Sequence, residues 1–232
     1  MYSRRTITKE YLKANEITAQ YFEKIESRKL ELFFKYTTDK LLALILLVLL
    51  SPVIIGLSIW IKLDSKGPVF YRQERVTRYG RMFRIFKFRT MVTDADKVGS
   101  LVTVGQDNRI TKVGHIIRKY RLDEVPQLFN VLTGDMSFVG VRPEVQKYVD
   151  HYTDEMLATL LLPAGITSPA SIAYKDEDAV LEEYCSQGYS PDEAYVQKVL
   201  PEKMKYNLEY IKNFGIVSDF KVMIDTVINI IK

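Results

Sequence analysis

The sequence LLALILLVLLSPVIIGLSIWI, residues 41–61, is an uncharged run of 21 residues in an otherwise polar chain. A straight helix of this length would cross the ~30 Å hydrocarbon core of a bilayer. Pro52 stands in the middle of the run, and proline removes a backbone donor and clashes with the preceding helical turn. We therefore expect a membrane segment that breaks at Ser51 and Pro52, and this segment decides how the rest of the chain is placed.

Basic residues flank the apolar run on both sides. Four lie between Arg28 and Lys40 before the run, and nine lie between Lys62 and Arg89 after it, where only Asp64 and Glu74 are acidic. Because flanks rich in Lys and Arg stay on the cytoplasmic side, a segment that enters the membrane and returns to the same face satisfies both ends. The pattern favours a re-entrant membrane helix over residues 37–62. A proline-kinked spanning helix and a buried core helix of a soluble protein remain as alternatives.

The composition outside this run is that of a water-facing protein. Charged residues make up 27% of the 232 residues and hydrophobic ones 47%, both ordinary for a globular protein. We expect an amphipathic helical extension at 1–36, the membrane helix at 37–62 and one domain on the cytoplasmic face at 63–232. The single cysteine, Cys185, rules out an internal disulfide and fits a reducing compartment.

The local patterns predict an α+β fold that is mainly helical. Two β-rich runs, 69–75 and 82–89, flank Tyr79-Gly80 and predict a basic hairpin. Residues 94–109 have the composition of a polar loop. The extension at 1–36 is interpreted as a helix that either lies on the membrane surface or packs against protein, and 216–232 allows the same two interpretations. Further helices are predicted at 110–120, 126–132 (ended by Gly134), 154–162 and 176–186.

The stretch RKYRLDEVPQLFNVLTGDMSFVGVRP, residues 118–143, carries the candidate chemistry. Asp123 and Glu124 precede Val125-Pro126, and because proline suits the first turn of a helix, Asp123 is predicted at an N-cap. One interpretation is that Asp123 only caps this helix.

The other interpretation gives the two carboxylates a chemical role. A helix N-terminus attracts phosphate, and two adjacent carboxylates can hold a magnesium ion that bridges phosphate oxygens. The nearby Arg118, Arg121 and Arg142 could neutralise a transferring phosphoryl group. A carboxylate in such surroundings can attack phosphorus and form an acyl phosphate.

The basic segment from Lys62 to Arg89 fits anionic lipid headgroups or a phosphorylated substrate, because it adjoins the apolar run. No recognised nucleic-acid-binding motif accompanies the charge, so nucleic acid is not expected as a partner.

With these motifs in their order, the sequence resembles the bacterial sugar transferases, the monotopic polyprenyl-phosphate phosphoglycosyl transferases. The resemblance runs from about Phe33 to Pro143, then resumes near Gly165 and from Asp219. It is carried by the apolar run with Ser51-Pro52 and by the motifs YRQ (71–73), FKFRTM (86–91), LDEVPQLFNVL (122–132) and GDMSFVG (134–140), with Arg75 and Arg142-Pro143.

The resemblance implies an enzyme that transfers a sugar 1-phosphate from a nucleotide-diphosphate sugar, usually a UDP-sugar, to polyprenyl phosphate and releases UMP. Asp123 matches the nucleophile that forms a covalent phosphosugar intermediate, and Glu124 matches its partner carboxylate. Together they would hold Mg2+. The substrate and phosphate groups would be bound by Arg118, Arg142, Lys87, Arg89, Gln73 and Arg75. Ser51 and Pro52 match the break that returns the helix to the cytoplasmic face.

Such an enzyme would lie in the bacterial cytoplasmic membrane, facing the cytoplasm, and would start a lipid-linked glycan for capsule, exopolysaccharide, O-antigen or glycoprotein. Downstream glycosyltransferases are candidate partners. Two other hypotheses are kept: a non-catalytic membrane scaffold for glycan-assembly enzymes, and an inverting glycosyltransferase that passes on the sugar alone and releases UDP.

Two positions depart from the family pattern. Val141 stands where proline is usual, and PAGITSPASI, residues 163–172, replaces the usual Pro-Gly-[Ile/Leu]-Thr-Gly, with an acidic stretch after it. The sugar specificity therefore cannot be inferred from relatives.

Overall fold

The apolar run forms the adjoining halves of two helices. The computed structural model describes residues 6–95, 102 and 107–231. Helix α3 (Lys29–Leu49) and helix α4 (Ser51–Asp64) meet at Leu50 and are bent by 62°. Pro52 lies in the first turn of α4, and the Ser51 hydroxyl donates to the carbonyl of Val48 over 2.8 Å. The predicted break at Ser51-Pro52 is confirmed, because α4 begins there as a new helix.

No single helix in the described ranges has both the length and the apolar composition to cross a membrane; α3 and α4 meet that criterion only as a bent pair. The outward side of the pair is apolar and exposed, with Val48 and Leu49 each 66% accessible. This exposure contradicts the alternative of a core helix enclosed by protein.

The remaining elements form a mainly helical α+β fold, as predicted. The other helices are α1 (Lys9–Ala14), α2 (Glu16–Glu26), α5 (Lys112–Lys119), α6 (Leu128–Thr133), α7 (Gln146–Val149), α8 (Pro169–Ala173), α9 (Glu177–Ser186), α10 (Pro191–Ala194), α11 (Leu200–Asn213) and α12 (Ile216–Ile231). Short 3-10 helices occur at Arg78–Gly80, Leu122–Gln127 and Met156–Leu161, and a π-helix at Tyr195–Val199.

The predicted hairpin is confirmed. Strand β1 (Phe70–Val76) pairs antiparallel with β2 (Met82–Phe88), so that Tyr71 lies opposite Lys87 and Arg75 opposite Phe83. A second, parallel pair was missed: β3 (Met136–Val139) with β4 (Ala164–Thr167). Strands of four residues are too short to give a readable periodicity, and a parallel pair joins segments that are distant in the sequence.

The N-terminal extension differs from the single predicted helix. Asn15 ends α1 and begins α2, where its side chain accepts from the amides of Ile17 and Thr18. The apolar face of α1 and α2, including Leu12 and Phe22, is buried in the largest hydrophobic cluster. This face therefore packs against protein rather than a membrane surface. Helix α3 begins at Lys29 and runs through the predicted boundary at residue 36.

Each half of the bent pair has its own packing partner. Ala43 of α3 lies in a cluster with Phe83, Ile85 and residues of α6. Leu57 and Ile61 of α4 pack with residues of α5 and with Phe88. The hairpin and the segment from α5 to α6 thereby pack against α3 and α4 on both sides of the break at Leu50. The predicted polar loop at 94–109 lies largely outside the described residues.

Candidate active site

The conformation of Arg121 decides where the two carboxylates point. Its φ of 55° is left-handed, which is uncommon for a residue with a Cβ and is typical of sites held by their surroundings. The 3-10 helix Leu122–Gln127 follows directly, and no side-chain capping bond is present at its start. The prediction that Asp123 is an N-cap is wrong, because Asp123 is the second residue within this helix. Its carboxylate is thus not used by the backbone.

Two cations converge on the carboxylate pair. Glu124 Oε1 lies 3.0 Å from Lys87 Nζ and 2.9 Å from Arg142 Nη2, and Lys87 Nζ lies 3.7 Å from Asp123 Oδ2. The side chains of Asp123 and Glu124 are only 13% and 11% accessible. Glu124 is therefore held by two charge-assisted bonds, while Asp123 keeps a carboxylate that is attracted by Lys87 without a direct hydrogen bond to it.

Lys87 is positioned by a buried asparagine. Asn130 of α6 accepts from the Phe86 amide over 2.8 Å and donates to the Arg84 carbonyl over 3.0 Å. An asparagine side chain can satisfy a backbone donor and a backbone acceptor at once. Asn130 thereby joins β2 to the helix that follows the carboxylates, which fixes Lys87 beside Glu124.

Arg142 is positioned by a close crossing of two chain segments. At Gly140 an added Cβ would lie 2.6 Å from the Pro163 carbonyl oxygen, and at Gly165 it would clash with the backbone of Gly140. Only glycine permits this approach. The crossing holds the chain that follows β3 close to the 3-10 helix Leu122–Gln127, so that Arg142 reaches Glu124.

Burial and charge separate the two carboxylates chemically. Burial raises the pKa of Asp123 above its ordinary value, and the attraction of Lys87 only partly opposes it. Burial acts on Glu124 in the same direction, but Arg142 and Lys87 outweigh it and hold the pKa of Glu124 below its ordinary value. The pair thus contains one firmly ionised carboxylate and one that is more basic, which is the better nucleophile of the two.

The other residues predicted to bind phosphate lie in three places: Gln73 and Arg75 in β1, Arg118 in α5, and Arg89 directly after β2. Gln73 and Arg75 lie beside the pair in β1, where Arg75 donates to Gln73 over 2.9 Å and to the Pro143 carbonyl over 3.1 Å. Arg118 lies at the end of α5, 3.9 Å from Asp178, and is close enough to Asp123 to favour its ionised form.

Arg89 is not brought to the carboxylates. Its guanidinium is buried at the C-terminal end of α4, where it donates to the carbonyls of Ser65 (2.7 Å), Ile61 (3.4 Å) and Lys66. The last carbonyls of a helix lack intrahelical partners, and a cation there is favoured by the helix dipole. The structure therefore shows Arg89 joining the end of α4 to β2.

A second buried charge cluster was missed by the sequence reasoning. Lys203 Nζ lies 2.7 Å from Glu177, 3.1 Å from the Tyr195 hydroxyl and 3.8 Å from Glu144, and Glu144 also accepts from Tyr195. Arg75 lies 3.9 Å from Glu144, so this cluster adjoins the first. The only signal in the sequence is the position of Glu144 directly after Arg142-Pro143, since Tyr195 and Lys203 come from distant helices.

An open cavity of about 1360 Å³ joins these groups. The carboxylate pair, Arg118, Arg142 and the second cluster line its polar part. Its apolar part reaches Leu46 and Leu50, at the break between α3 and α4. The cavity therefore extends from the polar site to the break in the apolar pair of helices α3 and α4.

The carboxylate pair fits a magnesium ion that is shared with a phosphorylated ligand. Among the residues that the structure describes, no group of three or more His, Cys, Asp or Glu side chains could hold a metal by itself. Mg2+ prefers oxygen ligands and is commonly held by one or two carboxylates together with substrate phosphates and water. Asp123 and Glu124 supply such oxygens, and the rest would have to come from the ligand and water.

A sequence model of the bacterial sugar transferase family matches residues 30–232. The chain belongs to the bacterial sugar transferase family. The matched region covers all but the first residue of the bent helix pair, the hairpin, both charge clusters and α12, so the whole candidate site lies within the residues that the family model matches.

Individual members of the family show what the chain is similar to. It is 36% identical over 198 residues to the UDP-N-acetylgalactosamine-undecaprenyl-phosphate N-acetylgalactosaminephosphotransferase of Aeromonas hydrophila. The aligned region is 84% of this chain and 43% of that protein. It is 35% identical over 198 residues to the UDP-glucose:undecaprenyl-phosphate glucose-1-phosphate transferase of Escherichia coli K12. The aligned region is 83% of this chain and 39% of that protein.

A shorter match joins the chain to a putative undecaprenyl-phosphate N-acetylgalactosaminyl 1-phosphate transferase of Bacillus subtilis, with 44% identity over 125 residues, or 54% of this chain and 70% of that protein. The chain thus spans less than half the length of the Aeromonas and Escherichia relatives. The names of the relatives share undecaprenyl phosphate but differ in the sugar.

Proposed function

We propose that this bacterial sugar transferase moves a sugar 1-phosphate from a nucleotide-diphosphate sugar, with UDP as the expected nucleotide, to a polyprenyl phosphate of the undecaprenyl type. The observation that carries the proposal is the buried Asp123–Glu124 pair, held between Lys87 and Arg142 in a cavity that opens toward an exposed apolar helix pair. A water-soluble anionic donor and a lipid acceptor need a site of this kind, because they must meet at the membrane surface.

In the first step, Asp123 attacks the phosphorus that bears the sugar. A bond forms between a carboxylate oxygen and phosphorus, the bond from phosphorus to the bridging oxygen breaks, and the nucleotide leaves as its monophosphate. The raised pKa of Asp123 supports this assignment, because a more basic carboxylate is a stronger nucleophile. Arg142 and Lys87 are placed to neutralise charge on the transferring phosphoryl group.

In the second step, an oxygen of the polyprenyl phosphate attacks the same phosphorus and the acyl phosphate breaks. This regenerates the Asp123 carboxylate and gives a polyprenyl-diphosphate sugar. A magnesium ion held by Asp123 and Glu124 would supply further neutralisation of phosphate charge. Because the phosphosugar is carried by the enzyme between the steps, both substrates use one site in turn and ping-pong kinetics are expected.

The proposed location is the cytoplasmic face of the bacterial inner membrane, with α3 and α4 re-entrant. The apolar parts of the two helices are about 13 and 16 Å long at 1.5 Å per residue. With the 62° bend, their ends lie at most about 26 Å apart, short of the ~30 Å hydrocarbon core. A return to the same face is the arrangement that also keeps both basic flanks in the cytoplasm.

Helix α12 supports the same placement. Val217 is 85% accessible, and Phe220, Ile224 and Val227 are also exposed along one side of the helix. An exposed apolar stripe on an amphipathic helix suits the interface between headgroups and acyl chains.

The activity is tested by incubating the purified protein in detergent or lipid discs with Mg2+ and a panel of UDP-sugars. The enzyme alone is expected to release one equivalent of UMP and to gain the mass of a phosphosugar, and polyprenyl phosphate is expected to discharge it. Asp123→Asn should abolish both signals. Asp176→Asn is the matched control, because Asp176 is an exposed carboxylate of the same cavity that lies outside the pair.

The other outcomes identify the alternatives. Release of UDP with no covalent species would indicate direct sugar transfer. No turnover with any donor, together with capture of glycan-assembly enzymes, would indicate a non-catalytic scaffold. Unchanged turnover in Asp123→Asn would refute the nucleophile.

The topology is tested by cysteine accessibility in spheroplasts and inverted vesicles. Lys29→Cys and Lys66→Cys, each in a Cys185→Ser background, are expected to react only from the cytoplasmic side. Labelling of the two positions from opposite sides would refute re-entry.

A further inference from the structure

A second cavity adjoins an earlier part of α3 and shares no lining residue with the cavity that holds the carboxylate pair. It has a volume of about 390 Å³ and is formed by α3, the turn of the hairpin and the chain between α6 and β3. Three cations line it: Lys40 of α3, and Arg78 and Arg81 of the turn. None of these residues belongs to the proposed transfer site, so this charge has no role in the mechanism above.

The cations of this cavity are incompletely neutralised. Arg81 forms an ion pair of 2.8 Å with Asp135. Arg78 instead donates to the Leu161 carbonyl over 3.1 Å and stacks on the ring of Tyr79 at 4.4 Å. Within the described ranges, neither Arg78 nor Lys40 has a carboxylate within ion-pair distance. The cavity therefore has an excess of positive charge.

The acidic residue in the cavity wall does not correct this excess. Asp39 lines the cavity, but its carboxylate already accepts from Ser137 and lies 3.6 Å from the buried Lys35. Its charge is thus directed into the protein rather than toward Lys40 or Arg78.

An unsatisfied hydroxyl lies in the same wall. Tyr36 is one turn before Lys40 on α3, and its hydroxyl is buried without a hydrogen-bond partner in the part of the chain that the structure describes. Buried polar groups in folded proteins are nearly always paired with protein, water or a ligand. The unpaired hydroxyl of one lining residue and the three cations of the same lining together favour an anion with several acceptor oxygens.

The position of the cavity along α3 indicates that the anion comes from a membrane lipid. Lys40 directly precedes Leu41, the first residue of the apolar run, so insertion of the run places Lys40 at the depth of the lipid headgroups. Val131 and Met136 add apolar surface to the wall. We propose that this cavity binds the headgroup phosphate of an anionic membrane lipid beside helices α3 and α4. The proposal rests on the membrane attachment given under the proposed function and not on the transfer reaction.

The test uses the full chain and phosphatidylglycerol as the probe. Short-chain phosphatidylglycerol is titrated into protein in neutral detergent, and retention of long-chain phosphatidylglycerol from mixed phosphatidylcholine discs is counted by native mass spectrometry. Lys40→Gln and Arg78→Gln are each expected to weaken binding about tenfold, since each removes a charge-assisted hydrogen bond. Lys62→Gln is the matched control, because Lys62 is an exposed cation at the other end of the apolar run.

Tyr36→Phe separates binding from folding. It removes only the unpartnered hydroxyl, so binding should weaken several-fold while the melting temperature in neutral detergent does not fall. Equal loss of binding in Lys62→Gln would overturn the proposal in favour of diffuse charge attraction. Equal stabilisation by inorganic phosphate would overturn it in favour of a soluble anion.

Failure of the membrane attachment can be recognised separately. It would appear as wild-type protein that does not float with vesicles, whereas the short-chain lipid reports on the cavity in either case. The transfer activity in neutral detergent is expected to persist in all four variants.

Discussion

Replacement of Lys87 by methionine tests whether Lys87 controls the ionisation of Asp123. Methionine keeps an unbranched side chain of similar length but removes the charge that lies 3.7 Å from Asp123 Oδ2. Lys87 is the strongest of the charges that oppose the effect of burial on Asp123. Without it the pKa of Asp123, already raised, should rise further.

The expected size of this change follows from the distance. Two unit charges at 3.7 Å interact by about 4 kcal/mol at an effective dielectric constant of ~20. Arg118 and Arg142 still favour the charged form in the variant, so the pKa of Asp123 should rise by less than this full interaction would give. Because Asp123 attacks as the carboxylate, activity is lost as the pH falls through this pKa, and the acid limb should move to higher pH.

The assay is single-turnover release of UMP measured across the pH range, which isolates the first step. Lys87→Arg keeps the charge and should leave the acid limb near its wild-type position. Arg84→Gln is the matched control, because it removes a cation of the same strand that faces Glu74 at 3.6 Å instead of Asp123. An acid limb that stays in place in Lys87→Met, in a protein that still turns over, would refute the coupling.

Two further predictions concern stability. Lys35→Met breaks a buried ion pair with Asp219 and should lower the free energy of unfolding by about 3–5 kcal/mol. The double variant Lys35→Met/Asp219→Asn should recover much of this loss, because it leaves no buried charge unpaired at that position. Urea denaturation in detergent measures both variants, and equal losses of stability would contradict the prediction. Gly67→Ala should lower the free energy of unfolding by about 3 kcal/mol, because φ is +131° and the added Cβ would clash with the Arg89 guanidinium. Gly188→Ala, at φ +98° with no atom within 4 Å of the added Cβ, should lower it by only about 1 kcal/mol. Thermal melting compares the two variants, and similar melting temperatures would exclude the clash.

The sequence was most informative where its signals are local. The apolar run with Ser51-Pro52, the alternation of 69–89 and the glycine after Leu132-Thr133 each predicted an element that the structure contains. The parallel β3–β4 pair was missed because two short strands from separate parts of the chain give no periodicity of their own.

The site shows the same division between local and distant information. The adjacent carboxylates of Asp123 and Glu124 could be singled out from their spacing, but the spacing also predicted an N-cap that the left-handed Arg121 removes. Arg89 was predicted to bind phosphate; its side chain lines the cavity but donates to backbone carbonyls at and just after the end of α4. Lys35 is one of the four basic residues at 28–40 that were counted as a flank of the apolar run, whereas the structure buries it against Asp219.

The sequence by itself determined the apolar run and its break at Ser51-Pro52, the basic hairpin, the two adjacent carboxylates and the family, because each of these depends on neighbouring residues. Only the tertiary structure decided which cations meet which carboxylates. Lys87 and Arg142 are brought to Glu124 by Asn130 and by a crossing that glycine permits, and burial then gives Asp123 and Glu124 opposite pKa shifts. Electrostatic interaction depends on distance in space and on exclusion of water, and neither is encoded at any single position of the chain.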